Sequence, residues 1–370
     1  MSSVRSIESA RRAAQPCLPA SAAEPPIGEP PILDVTVVLL DGGFPSTAIG
    51  PIEIFHSAGM LWNKLHGTAH QPRFRVRVAS VDGASVASIC SMSITPACSI
   101  HDIERSDIVI LAAASCDAQM RIVRETPLIP WLQKIHAQGV YIGAVCTSAL
   151  FLAEAGLLDG RQATTHWGVA EGLQQRYPNV RWRPDLFVTE DDRILCSGGV
   201  YASFDISLYL VEKFCGHEIA VQCAKSLLIS MPRSRQSGYA VIPLSRPHTD
   251  ERIRQIEDYL QQHFVGDVSI GVLADLAAMS PRNFIRRFRA ATGRLPGAYI
   301  QLLRIAAAKE MLENGTASIQ EICSAIGYED IAFFRNLFKR HTGVTPTEYR
   351  RRFARVSFER GELEAGRTVA

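Results

Sequence analysis

The stretch Asn283-Phe284-Ile285-Arg286-Arg287-Phe288-Arg289-Ala290-Ala291-Thr292-Gly293 returns fifty residues later as Phe333-Phe334-Arg335-Asn336-Leu337-Phe338-Lys339-Arg340-His341-Thr342-Gly343. The two phenylalanines, the threonine and the glycine keep their places, and Pro296 and Tyr299 return as Pro346 and Tyr349. Upstream, Ile270, Leu273 and Ala274 pair with Ile319, Ile322 and Cys323. A repeat of this kind implies two copies of one supersecondary unit. Each copy reads as a short helix, a tight turn and a second helix: Ile270 to Ala278 then Pro281 to Ala291, and Ile319 to Ile326 then about Asp330 to His341. Ser280 suits an N-cap, Pro281 the first helical position, and Gly293 and Gly343 the stops. A helix-turn-helix has this layout, and its second helix enters the major groove of double-stranded DNA.

Helical geometry sorts the faces. Phe284, Phe288 and Ala291 turn inward in the first copy, and Phe334, Phe338 and Ile331 in the second. The outward candidates for DNA contact are Arg282, Asn283, Arg286 and Arg289, then Ala332, Arg335, Asn336 and Lys339, with Ile285 and Ile331 completing the set. Arginine bridges guanine O6 and N7, and asparagine bridges adenine N6 and N7. Residues 281–355 hold 14 Lys or Arg against 6 Asp or Glu, a local excess that the whole-chain net charge of +2 hides. Arg350-Arg351-Arg352 reads as a phosphate contact or a solvated face.

Working outward, residues 231–248 carry Pro232, Pro243, Pro247, Gly238 and three serines, the composition of a linker. Upstream of it the texture is different. Asp34-Val35-Thr36-Val37-Val38-Leu39-Leu40 is a continuous apolar run suited to a strand buried on both faces, and Phe74 to Ala79, Ile108 to Ala112 and Val140 to Val145 are similar. Helical patterns, Pro51 to Leu61 and Pro127 to Gln138 among them, lie between these runs, which implies βα units and a parallel sheet. The expected division is a loose tail over 1–32, an α/β domain over 33–230, the linker, an all-α domain with two helix-turn-helix units over 249–355, and a tail over 356–370. No apolar run approaches the roughly 18 residues of a membrane span. The nine cysteines are odd in number and lack a C-x-x-C spacing, which argues against a disulfide framework and against a metal site.

Residues about 250 to 353 resemble the AraC-type DNA-binding domain. The resemblance rests on Ser280, Phe288, Gly293, Pro296, Tyr299, Arg304, Ala308, Leu312, Ile322, Gly327, Tyr328, Phe334, Phe338, Gly343, Pro346 and Tyr349-Arg350, with Tyr328 where Phe is commoner. It implies a connecting helix, here about Gly297 to Glu313, holding the two units in successive major grooves.

In the N-terminal half, Gly143-Ala144-Val145-Cys146-Thr147-Ser148-Ala149 follows an apolar strand and precedes a helical stretch, Leu150 to Ala155. Such a strand-to-helix turn holds Cys146 exposed at a helix N-terminus, where the dipole favours the thiolate; a buried packing cysteine is the bland alternative. Gly50-Pro51-Ile52-Glu53-Ile54-Phe55, Ala144-Val145-Cys146-Thr147, Ala153-Glu154-Ala155-Gly156-Leu157-Leu158-Asp159-Gly160-Arg161, Ala163-Thr164-Thr165-His166-Trp167, Gly198-Gly199 and Asp205 resemble the PfpI-like, glutamine-amidotransferase-like superfamily. That implies a flavodoxin-like, mostly parallel sheet with helices on both faces. Joined to an AraC-type domain, the chain is similar to the GlxA-like transcriptional regulators.

The same resemblance argues against catalysis. Hydrolytic members place His directly after the nucleophilic Cys, and here Thr147 stands there; carboxylate-assisted members place Asp or Glu four residues before the Gly-Pro proline, and here Thr47 stands there. The glycine pair that lines the oxyanion site is replaced by Ala112-Ala113-Ala114-Ser115. The expectation is a non-enzymatic sensor without cofactor or metal, its small-molecule pocket lined by Cys146, Thr147, His166, Gly50, Pro51, Glu53 and Ser115. A homodimer binding double-stranded DNA, an activating role with RNA polymerase as partner, and a bacterial cytoplasmic, nucleoid-associated location complete it. A cysteine hydrolase or hydratase with a DNA-binding tail, and a redox sensor built on Cys146, are the alternatives.

Overall fold

The computed structural model describes residues 31–115, 127–231, 233, 235–239, 248–266 and 268–354; most of the expected N-terminal tail and all of the C-terminal tail lie outside them. The chain divides into two compact units, Met1–Ser234 and Arg235–Ala370.

The strands of the first unit are β1 (Leu33–Val38), β2 (Phe74–Ser80), β3 (Val86–Ala87), β4 (Ser93–Ile94), β5 (Cys98–Ser99), β6 (Ile108–Leu111), β7 (Tyr141–Val145), β8 (Gln162–Ala163), β9 (Arg181–Trp182), β10 (Val188–Asp191) and β11 (Ile194–Ser197). Among the described residues, seven of them form one sheet in the order β10-β11-β7-β6-β1-β2-β5. All its pairs are parallel except β10 with β11. Alternation explains the continuous apolar runs. Val35, Val37, Leu39, Ile108, Ile110 and Val145 enter one buried cluster with Ile54, Phe55, Ile206 and Leu210. Val38, Leu40, Val109, Leu111, Ile142 and Ala144 enter another with Trp131, Leu132 and Phe151. A strand covered on both faces has no polar side to display.

Two elements differ from the sequence pattern. The helix expected from Pro51 runs Ser46–Ser57 with Pro51 inside it, followed by a separate Leu61–Leu65. Proline suits a first turn, but burial of Thr47, Ala48, Ile54 and Phe55 outweighs the one backbone bond that Pro51 forgoes. The edge strand Val188-Thr189-Glu190-Asp191 is too polar to read as a strand, and its ladder partner alone makes it one.

The second unit follows the repeat. Its helices are Glu251–His263, Ile270–Leu276, Pro281–Thr292, Pro296–Asn314, Ile319–Ala325, Ile331–Thr342 and Pro346–Phe353. Asp250, Ser269, Ser280, Ser318, Asp330 and Thr345 cap six of them by accepting backbone N–H bonds. Gly293 and Gly343 end the two long second helices in the left-handed conformation, at φ 77 and 80, which a side chain would strain. Two separate cores result. Ile253, Leu260, Phe284, Phe288, Tyr299 and Leu303 fill the first; Ile305, Leu312, Ile322, Phe334, Phe338 and Tyr349 fill the second. The 19-residue helix Pro296–Asn314, about 28 Å long at 1.5 Å per residue, serves both.

Arg304 lies between Leu303 of one core and Ile305 of the other. Its Nε donates to the Phe264 carbonyl at 2.8 Å and its Nη1 to the Gly327 carbonyl at 2.9 Å. Its Nη2 donates to the carbonyls of Val265 and Gly266 at 3.2 and 3.0 Å. The guanidinium also lies 4.8 Å from the centre of the Tyr328 ring. Charged hydrogen bonds are each worth roughly 1.5–3 kcal/mol. Arg304→Ala should therefore destabilise the second unit by about 3 kcal/mol or more in urea unfolding, and Arg304→Lys should recover little, because an ammonium lacks the planar fork. Equal stability of wild type and Arg304→Ala refutes the clamp.

Candidate functional site

The second helix of each repeat carries the candidate DNA face. On Pro281–Thr292, Phe284, Phe288 and Ala291 are buried while Arg282, Arg286 and Arg289 are exposed, with Asn283 and Ile285 half-buried. Arg286 Nη2 donates to Asn283 Oδ1 at 2.8 Å, which holds the guanidinium along the outer face. Arg287 is withdrawn from that face by a two-point ion pair with Asp250, at 3.0 and 2.8 Å. On Ile331–Thr342, Phe334, Leu337 and Phe338 are buried, Ile331 is half-buried, and Ala332, Arg335, Asn336 and Lys339 are exposed. Of the three consecutive arginines, Arg350 is half-buried and donates to the Ala317 carbonyl, whereas Arg351 and Arg352 are exposed. Arg350 thus has a structural bond that Arg351 and Arg352 lack. Phe333, next to Ala332 in the first turn of this helix, is also exposed although it is large and apolar, and helical periodicity does not single it out.

In the first unit the sheet order reverses at β1 and β6, and the carboxyl ends of the parallel strands border the crevice where open α/β sheets take ligands. Cys146 follows β7 with φ +59, a left-handed turn held against strain by its surroundings. The Thr165 hydroxyl donates to its carbonyl at 2.9 Å, so the residue before His166 is bonded to the residue of the turn. Thr147 and Ser148 bond across to the end of β6, Thr147 Oγ1 to the Ala114 carbonyl at 2.6 Å and Ser148 Oγ to the Leu111 carbonyl at 3.1 Å.

Cys146 is 6% exposed and belongs to the core cluster with Ala112, Ala113 and Ile206. The turn exists as expected; the thiol is buried where exposure was expected, because it packs in the cluster with Ala112, Ala113 and Ile206 and the Thr165 segment is bonded to its backbone. Glu53 is a second correction. Helical phase turns it out to solvent, while Gly50 and Pro51 are buried, Gly50 directly under the Phe204 ring. Ser115 is half-buried and its N–H donates to the Asp41 carbonyl at 3.2 Å; residues 116–126, which follow it, lie outside the described residues.

Thr47, at the position of the family's carboxylate, is fully buried. Its hydroxyl donates to the Phe44 carbonyl at 2.6 Å and accepts from the Ala113 N–H at 3.0 Å. It fastens a helix to a loop. His166 is half-buried, and its Nδ1 accepts the Gly168 N–H at 3.0 Å. The neutral ring therefore carries its proton on Nε2. Gly199 admits the ring: a Cβ there would lie 2.9 Å from His166 Cδ2. Burial lowers the His166 pKa from 6.5. Gly199 leads into the helix Ala202–Cys215, whose buried Asp205 accepts Arg233 N–H at 2.7 Å and Arg233 Nη2 at 2.6 Å. Arg233, within the stretch read as linker, is thus fixed to the first unit.

Comparison with known proteins matches both halves. Residues 37–213 match the DJ-1/PfpI family and residues 273–352 a helix-turn-helix domain family. The HTH-type transcriptional regulator CdhR of Pseudomonas aeruginosa is 28% identical over 283 residues, 76% of this chain and 83% of that protein. The HTH-type transcriptional regulator GbdR of Pseudomonas aeruginosa is 27% identical over 282 residues, 75% of each. The HTH-type transcriptional regulator GlxA of Rhizobium meliloti is 30% identical over 224 residues, 60% of this chain and 68% of that protein. The chain belongs to the GlxA-like HTH-type transcriptional regulators. As such a regulator it joins a DJ-1/PfpI domain to an AraC-type helix-turn-helix domain and binds double-stranded DNA.

The buried, neutral His166 has a consequence for this regulator's pH response. Its folded pKa lies below the unfolded value of 6.5, so its contribution to stability is complete above 6.5 and is lost as pH falls below it. Unfolding midpoints of the first unit should drop as the pH falls below 6.5, and His166→Gln should flatten that drop. An unchanged slope in the variant refutes the assignment.

Proposed function

We propose that the first unit is a non-catalytic sensor of a small metabolite and that the exposed faces of Pro281–Thr292 and Ile331–Thr342 read the operator. The observation that carries the sensor reading is the His166 Nδ1 bond. Its acceptor lone pair is taken by Gly168, so the ring is a donor through Nε2 rather than a base for Cys146. The Thr47 hydroxyl, spent on Phe44 and Ala113, supplies no acid either. A ligand offering an oxygen acceptor fits this donor. Amino acids, betaines and related nitrogenous metabolites are the first class to test. Ligand binding shifts the population of DNA-competent dimers, which recruit RNA polymerase as an activator in the bacterial cytoplasm. The redox alternative is disfavoured by the burial of Cys146, because oxidation follows exposure of the thiolate.

Unfolding of the full chain, screened against amines, amino acids, betaines and small aldehydes, tests the sensor. A ligand at 100 times its dissociation constant adds about 2.7 kcal/mol; the expected result is one class that stabilises the first unit and loses its effect in His166→Ala. Turnover of a panel member, abolished by Cys146→Ala, would overturn the non-catalytic reading. For the DNA face, Arg286→Ala should weaken specific binding by about 1–3 kcal/mol and leave non-specific affinity nearly unchanged. Equal losses on both would remove Arg286 as a base reader.

A further inference from the structure

The two repeats share their core residue types and differ at every outward position. At equivalent places of the repeat Arg282 corresponds to Ala332, Asn283 to Phe333, Arg286 to Asn336 and Arg289 to Lys339. The first surface is a basic face, with Arg286 pre-oriented by Asn283. The second presents a methyl group and an aromatic ring beside an amide. Phe333 is 45% exposed although it is large and apolar. It is not loose: its ring meets that of Tyr328 at 5.5 Å, and Tyr328 is backed by Arg304. The Phe333 N–H is bonded to the Asp330 cap at 3.1 Å, at the first turn of the helix, the end that enters the groove in a helix-turn-helix. A rigid apolar side chain left in water on a DNA-facing surface gains free energy when DNA covers it. In the major groove the apolar group available is the thymine 5-methyl.

We infer that the two units read chemically different sub-sites: the first is guanine-centred through Arg286, and the second is an A·T sub-site in which Phe333, with Ala332, packs on thymine methyls and Asn336 pairs with adenine. This rests on the base-reading proposal above. The two second helices, held by one connecting helix, would place the sub-sites in successive major grooves, roughly 10 base pairs apart.

The test uses the full chain and a duplex selected by it from a random pool. Thymines in the bound footprint are replaced singly by deoxyuridine, which removes the methyl and keeps every hydrogen bond. At one or two positions wild type should lose about fourfold in affinity, the worth of one buried methyl group. Phe333→Ala should bind thymine and uracil duplexes at those positions equally, and Phe333→Leu should keep part of the preference. Non-specific affinity unchanged in Phe333→Ala shows that the helix is intact. Arg286→Ala should retain the uracil effect and lose sensitivity to 7-deazaguanine about one helical turn away. A selected operator whose thymine methyls are inert, or whose uracil penalty survives in Phe333→Ala, overturns the inference alone. A chain that selects no sequence overturns the base-reading proposal with it.

Discussion

One guanidinium holds the DNA-binding half together. Arg304 sits where the connecting helix passes from one core to the other, and its donors close on carbonyls at the end of Glu251–His263 and on the turn of the second repeat. Each small core alone is marginal, as a few dozen residues bury too little surface to be stable on their own. The shared helix and the Arg304 clamp turn two weak units into one body. The consequence is functional, because the spacing and mutual angle of the two second helices are set before DNA is met, and no binding energy is spent ordering them.

In the first unit the governing constraint is closure of the strand ends. Two hydroxyls that stand at positions the resemblance gives to catalytic groups, Thr47 and Thr147, are turned to structural use: Thr47 ties the loop after β6, and Thr147, helped by Ser148, ties the turn of Cys146 to β6 and that loop. The strained backbone of Cys146 persists because strand β7 holds the residues before it and these bonds hold the residues after it. From there His166 touches Gly199, Gly199 opens the helix bearing Asp205, and Asp205 grips Arg233. A chain of contacts therefore runs from His166 to Arg233, near the end of the first unit.

The periodic parts of the molecule were legible without coordinates. The paired phenylalanines, the serine cap and the glycine stops specified both helix-turn-helix units to within a residue or two, and the apolar runs specified four core strands, because local periodicity and capping act over a few residues. The polar strand β10 was not legible, since its ladder partner makes it a strand. The start of the Ser46–Ser57 helix was masked by Pro51. Glu53 and Cys146 were misplaced because exposure depends on which loop closes over which residue. Phe333 had a signal, its position opposite Asn283 in the repeat, but reading it needed proof that nothing else in the unit covers it.

Sequence by itself determined the two-part architecture, the repeat, the outward charge of the first second-helix and the absence of the family's catalytic His and acid. These are properties of residue identity and spacing along one chain. The tertiary structure alone decided that Cys146 is buried, that His166 is a donor, that Arg350 bonds a carbonyl, that Arg304 joins two cores and that Phe333 stays in water. Each of these depends on a partner distant in the chain, and burial and hydrogen bonding to such partners follow from packing, which spacing does not encode.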